Sequence, residues 1–259
     1  MGKTIVITSG KGGVGKTVAV SNIAVELASM GKKVLMADID IGLRNLDIAM
    51  GMSDIIVYDI IDVIEGKCDF EKAIFRFDKY GHLDFLPAAQ STDKEYLNPE
   101  EFRALFESLK SQYDYILLDC PAGIDNGFKS AVMSADAAIV VVTPEMISVR
   151  DADKVIDLLE IGEITDVKLL INRVRPELIK KGHMLSIDEI TDILGVSPIG
   201  IVLEDEIIIK SQRSRIMAVN DSSSVAGEEF RNIARRLEGK NIPIIELKSK
   251  RRGIFGKRR

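Results

Sequence analysis

The stretch GKGGVGKT at residues 10–17 places two lysines and four glycines in eight positions. Gly10, Gly15, Lys16 and Thr17 meet the spacing G-x-x-x-x-G-K-[ST], a loop built to hold phosphate. Glycines let the backbone curl until its N–H groups point inward at anionic oxygens. The helix that follows adds the favourable field of its amino terminus. Lys16 is placed to meet the β- and γ-phosphates of a nucleotide, and the Thr17 hydroxyl to ligate Mg²⁺. The cofactor-binding candidates are therefore Gly10, Lys11, Gly12, Gly13, Val14, Gly15, Lys16, Thr17 and Val18. Lys11 is one cation more than the pattern requires, and by itself it reads as a solvated charge.

Phosphoryl transfer also needs carboxylates near the metal. Asp119 ends the apolar run YILLD and fits the residue that holds magnesium or its water. Asp38 and Asp40, two apart in DIDIG, share one side of an extended chain. Acids so near to phosphate would repel it unless they touch metal or a water. Asp40 is therefore read as the residue that orients the attacking water. Asp38 is read as a magnesium or switch contact, with an Asx-type turn cap as its other reading. Asn172 opens NRVR at the end of a late apolar run, where a guanine-binding N-K-x-D would have an acid three residues on; here Arg175 stands instead, which favours adenine.

These residues need a scaffold that gathers them. Apolar, β-branched runs at 3–9, 32–38, 83–88, 113–120, 136–144, 167–173 and 197–203 read as strands. Helical periodicity fits 17–31, 99–110, 128–134, 147–160, 186–194, 205–212 and 224–238. The alternation predicts an α/β fold: a single P-loop NTPase domain with a mostly parallel twisted sheet and helices on both faces. Ligands then gather at the carboxyl ends of the strands, where SGKGGVGKT, DIDIG, DCPAG, TPE and NRVR all fall. The domain is expected over residues 1–243, with a basic tail over 244–259.

Composition narrows the classes. Of 259 residues, 46% are hydrophobic and 29% charged, ample for one core. Cys68 and Cys120 are too few and too far apart for a disulfide framework or a C-x-x-C metal or redox site, and suit a reducing cytoplasm. The opening MGKTIVITSGKGG lacks a secretory signal pattern, and no apolar stretch approaches the about 18 residues that span a bilayer. The net charge of −5 hides a segregation: residues 248–259 carry seven Lys or Arg and no acid, against 28 basic and 40 acidic residues elsewhere.

The early lysine of KGGVGKT resembles the deviant Walker A signature of the MinD/ParA family of ATPases. DIDIGLRNLDIAMG (38–51), DCPAGID (119–125), VVTPEMISVRDADKV (141–155) and GHMLSIDEI (182–190) are similar to the septum-placing branch of that family. The likeness runs over almost the whole chain. It implies a Mg²⁺-dependent ATPase in which Lys16 binds phosphates and Thr17 the metal. Lys11 would reach across an ATP-bound homodimer to the partner's phosphates, so Lys11, Lys16 and Asp40 are the catalytic candidates. Thr17, Asp38 and Asp119 are the metal candidates, and Asn172 falls where an asparagine contacts adenine. The resemblance further implies recruitment of a MinC-like division inhibitor and stimulation by a MinE-like activator where one exists. Val18 stands where relatives carry a second Thr or Ser, and Leu203-Glu204-Asp205 replaces their P-E-D.

The same resemblance implies that the tail lies in an anionic inner membrane. At helical spacing Ile244, Leu247, Ile254 and Phe255 share an arc, with Lys250, Arg251, Arg252, Lys257 and Arg258 nearby. Burying Ile254 and Phe255 contributes roughly 3–5 kcal/mol at most, less the cost of ordering the segment. Seven cations near an anionic leaflet add on the order of 1 kcal/mol each, so electrostatics dominates. Two tails on a dimer gain avidity. The expected protein is cytoplasmic and peripheral on the membrane, with no specific nucleic acid partner. The alternative is a ParA-like partition ATPase whose basic tail meets DNA phosphates. An iron–sulfur carrier would want a C-x-x-C, and a ligase a substrate pocket that no motif supplies.

Overall fold

The structure is a computed structural model and describes residues 2–42, 45–52, 56–90, 98–214, 216–245 and 247. Eight strands form one sheet: β1 Lys3–Thr8, β2 Val34–Asp38, β3 Phe75–Arg76, β4 Leu83–Leu86, β5 Tyr115–Asp119, β6 Ala137–Val142, β7 Val167–Val174 and β8 Pro198–Leu203. Their order is β3-β4-β2-β5-β1-β6-β7-β8, parallel throughout except for the antiparallel β3–β4 pair. Eleven helices are described: α1 Lys16–Ser29, α2 Asn45–Met50, α3 Ile60–Ile64, α4 Phe70–Ala73, α5 Pro99–Leu109, α6 Asn126–Met133, α7 Met146–Ile161, α8 Pro176–Lys180, α9 Ile187–Leu194, α10 Glu206–Ser214 and α11 Val225–Leu237.

Alternation along the central strands builds a core on each face. Ile5 and Ile7 of β1, with Val34 and Met36 of β2, pack against α1 and α11. Val6, Leu35 and Ala37 point the other way, against α3, α5, α6, α7 and α9. The starts of these helices carry local signals. Asn98 accepts from Glu100 N–H ahead of Pro99, Asp125 caps α6 through Phe128 N–H, and Ser186 forms a reciprocal capping box with Glu189. All seven expected strands are present, with ends shifted by a few residues. The two-residue β3 and the short helices α2, α3, α4 and α8 were not foreseen.

Register decides where the chemistry sits. Ile7 pairs with Asp119 across β1–β5, and Asp38 pairs with the same Asp119 across β2–β5. The loop after β1 and both acids therefore meet at one edge, beside the strand from which the sheet order runs outward in both directions. The carboxyl end of the described chain is held by one side chain. Arg236 donates to the carbonyls of Ile199, Ile242 and Pro243 and pairs with the fully buried Glu229 at 2.7 Å.

The amphipathic arc expected from Ile244 onward differs at its start. Residues 241–245 take no regular form, and Ile244 and Leu247 pack against the body's core. Pro243 has no N–H to give a helix, and its carbonyl is taken by Arg236. The membrane candidates Lys250, Arg251, Arg252, Ile254, Phe255, Lys257 and Arg258 lie outside the described residues. Among the described residues no helix is long and apolar enough to cross a membrane.

Candidate functional site

The loop between β1 and α1 curls as its glycines allow. Gly13 and Gly15 adopt φ of 78° and 102°, in the left-handed region, and Gly15 is the residue from which α1 starts. A Cβ at Gly10 would stand 2.2 Å from the carbonyl oxygen of Asp151 in α7, so the loop lies directly on that helix. Lys16 is buried, at 9% exposure, and its Nζ donates to Ser9 Oγ at 2.9 Å. Ser9 Oγ in turn donates to the carbonyl of Lys11 at 2.8 Å. The ammonium is thus held inside the cradle before any phosphate arrives. Asn172, expected at the base, also braces the loop: its Nδ2 donates to the Val14 carbonyl at 2.7 Å.

A cleft of about 650 Å³ opens over the loop. Its walls include Gly12, Gly13, Gly15, Lys16, Thr17, Val18, Asp40 and Asp119. A recess of about 230 Å³ adjoins it, lined by Val18, Asn172, Leu203, Glu204 and Asp205 among others. The pair has the outline of a nucleotide site: a phosphate end with the glycine loop and Lys16, and a recess where aliphatic side chains of Val18 and Leu203 stand beside the polar Asn172, Glu204 and Asp205. A larger groove of about 1170 Å³ lies past Glu145, between α7 and the α8–α9 segment. It has no glycine loop and no buried cation, so phosphate chemistry belongs to the smaller cleft.

The acids divide by environment. Asp119 is 2% exposed; burial pushes its carboxyl up to about 7, while the Thr17 hydroxyl that hydrogen-bonds it and the Lys16 ammonium pull the other way. One of its oxygens, Oδ1, is buried without a partner. A buried orphan acceptor beside a threonine hydroxyl suits a hard cation that takes few protein ligands and completes its shell with water and phosphate oxygens. Thr17 and Asp119 fit Mg²⁺. Asp38 is 1% exposed, and burial followed by the neighbouring Asp119 raises its carboxyl well above the usual range. Its oxygens accept from Asp40 N–H at 2.9 Å and Leu46 N–H at 3.2 Å. That is the turn-cap geometry, and Asp38 stays behind the cleft wall while Asp40 lines it. Cys120 also lines the cleft, but burial pushes its thiol up to about 12, which keeps it neutral.

Lys11 stands apart from this floor. Its side chain is 43% exposed, and Nζ meets Glu145 Oε2 at 3.2 Å, just before α7. It is not among the residues that line the cleft. The sequence reading missed Asn45, Ile48, Asp125 and Arg173, which also line it. Asn45 and Ile48 belong to the short α2, and Asp125 stood in the sequence only as the end of DCPAGID, with no role assigned; the structure makes it the cap of α6. Arg173 owes its place to a break in strand register that no residue pattern announces.

An AAA domain model matches residues 2–171. The chain is 47% identical over 248 residues to the septum site-determining protein MinD of Synechocystis, covering 95% of this chain and 93% of that one. It is 45% identical to MinD of Bacillus subtilis over 259 residues, covering 99% and 97%. Among solved structures, the MinC:MinD cell division protein complex of Aquifex aeolicus superposes with a TM-score of 0.87 at 45% identity, covering 94% of this chain and 98% of that one. MinD of Pyrococcus horikoshii, solved with Mg-ADP, gives 0.81 at 30%, covering 92% and 96%. A ParA family ATPase of Chlorobium tepidum, at 22% identity, shares the fold.

Proposed function

This chain belongs to the MinD family of septum site-determining ATPases, and on that footing we propose that it cycles between a monomer and an ATP-bound homodimer that carries a division inhibitor on the cytoplasmic face of the membrane. It is a P-loop ATPase that hydrolyses ATP to ADP and phosphate with Mg²⁺. Bound Mg²⁺ would be held by Thr17 and Asp119 and would supply charge neutralisation for the phosphates. The chain's own groups do the rest. The loop amides and Lys16 hold the phosphates, and Thr17 and Asp119 hold the metal. Asp40, on the cleft wall, orients the attacking water. Asp38 fixes the turn that carries Asp40.

The observation that carries the dimer is Lys11. A cation on a phosphate loop that is kept outside its own cleft, on the rim and paired to Glu145, is placed to serve a second copy's nucleotide. ATP thereby controls dimerisation, and dimerisation doubles the number of basic tails that face an anionic surface. Residues 1–243 form the ATPase domain and 244–259 the targeting segment. A MinC-like protein is the cargo, in line with the MinC:MinD complex of Aquifex aeolicus. A MinE-like protein is the activator where the cell has one.

Pelleting with anionic liposomes, with ATP and with ADP, tests the reading on the full chain and on a chain ending at Glu246, beside a duplex DNA mobility shift. Full-length protein should pellet with ATP and the shortened chain should stay in solution. ATP-dependent DNA binding without liposome binding would replace the membrane reading with the partition one.

A further inference from the structure

Ser9 stands between Thr8, the last residue of β1, and the first glycine of the phosphate loop. The spacing G-x-x-x-x-G-K-[ST] asks for no serine at that position. The residue is fully buried, and both neighbours hold it still. Thr8 pairs with Val140 across β1–β6, and Gly10 presses on the Asp151 carbonyl with no room for a Cβ. The Ser9 oxygen is therefore a fixed point beneath a loop made mostly of glycine.

The hydrogen bonds at this oxygen can run only one way. An ammonium has three N–H donors and accepts nothing, so Ser9 Oγ must accept from Lys16 Nζ, at 2.9 Å. The single hydroxyl proton then goes to the Lys11 carbonyl, at 2.8 Å. Carbonyl, hydroxyl and ammonium form a short chain in which each bond polarises the next. Among the described residues Ser9 Oγ is the only hydrogen-bond acceptor of Lys16, which leaves two N–H groups unspent. Asp119 Oδ1, on the same floor, is buried with no partner. Charge alone therefore does not decide where the ammonium rests; the serine hydroxyl does.

We infer that Ser9 is the positioning residue of the phosphate loop: oriented by the Lys11 carbonyl, its oxygen takes one N–H of Lys16 and leaves the other two for the phosphates of the nucleotide. A lysine ammonium rides on a flexible four-carbon stem, and fixing it beforehand removes that freedom from the cost of binding. A donor already in place needs no reorganisation when charge arrives. The role is confined to the phosphate end, so the nucleoside gains nothing from it. The inference rests on the nucleotide reading of the cleft.

The test compares the full chain with Ser9→Ala and Ser9→Cys, each titrated with ADP, tripolyphosphate and adenosine in the presence of Mg²⁺. Alanine removes the acceptor, and cysteine keeps a similar shape with a poor one. Both should weaken ADP and tripolyphosphate about five- to tenfold and leave adenosine within about twofold of the wild type. In a Lys16→Ala background neither change should weaken tripolyphosphate further, because Ser9 acts through the ammonium. Wild-type tripolyphosphate affinity in Ser9→Ala or in Ser9→Cys would overturn the assignment. So would an undiminished further loss in the Lys16→Ala background, which would make Ser9 a brace of the loop instead. Adenosine weakening as much as ADP would overturn it too, since the fault would then lie in the whole cleft. Failure of the wild-type chain to bind ADP would instead remove the nucleotide reading itself.

Discussion

Two lysines five residues apart on one loop live under opposite conditions. Lys16 is on the floor of the cleft, buried and bonded to Ser9 before a ligand arrives. Lys11 is on the rim, half in solvent, tied to Glu145 by an exposed pair. The floor is set by the sheet, because Ser9, Asp119 and Asp38 come from neighbouring strands in fixed register. The rim is set by a contact that is worth about 0.2–1 kcal/mol in water. On the proposed reading the difference separates two tasks: what every turnover needs is built into the core, and what is offered to a second copy is held loosely enough to let go.

Lys16→Ala should show the largest effect. Removing a buried cation that meets phosphate should weaken ATP about 100-fold, read by nucleotide titration, while the unliganded fold melts no lower. Lys11→Ala should keep monomer affinity for ATP within about threefold and lose the dimer. Mass in solution with ATP, in an Asp40→Ala background that stops turnover, checks it. Equal loss of ATP affinity in both lysine variants would erase the contrast between floor and rim.

The acids of the floor supply a pH test. Burial keeps the Asp119 carboxyl protonated in the folded chain up to about pH 7, whereas in the unfolded chain it ionises near the ordinary 3.8. The folded form therefore binds more protons than the unfolded one between these values, and stability falls as pH rises through that window. The melting temperature of metal-free protein should drop by several degrees from pH 4 to pH 7, and Asp119→Asn should flatten that slope. A wild-type slope of the other sign would mean that the floor is not held as described.

The smallest effect belongs to Glu145→Gln. Freed from its partner, Lys11 should shift the ATP-dependent dimerisation constant about two- to fivefold. In a Lys11→Ala background, where the dimer is already lost, the same change should restore nothing; a dimer regained there would show that Glu145 acts on α7 and not on the lysine.

Much of this floor was legible from residue types. Seven apolar runs were long enough to read as strands, and the octet at 10–17 announced the phosphate loop. β3 escaped because two residues carry no period, and α2, α3, α4 and α8 because one turn or so of helix is held by tertiary contact more than by propensity. Asp38 and Asp40 looked alike in sequence. Only the backbone N–H groups of Asp40 and Leu46, arriving from later in the chain, separate the turn cap from the cleft residue. Arg173 was invisible for a related reason, since its placement depends on how β7 slips against β8. Ile244 and Leu247 were assigned to a helical arc by spacing, but the body's core competes for the same side chains.

The contact at Gly10 has a mechanical consequence. With no room for even a methyl group between the loop and the Asp151 carbonyl, loop and helix run without play. α7 is 16 residues long, about 24 Å from end to end. A tilt imposed near its start is geared into a larger excursion at its far end, so the helix is the lever arm of the phosphate loop, and a load on that arm is felt where the phosphates sit.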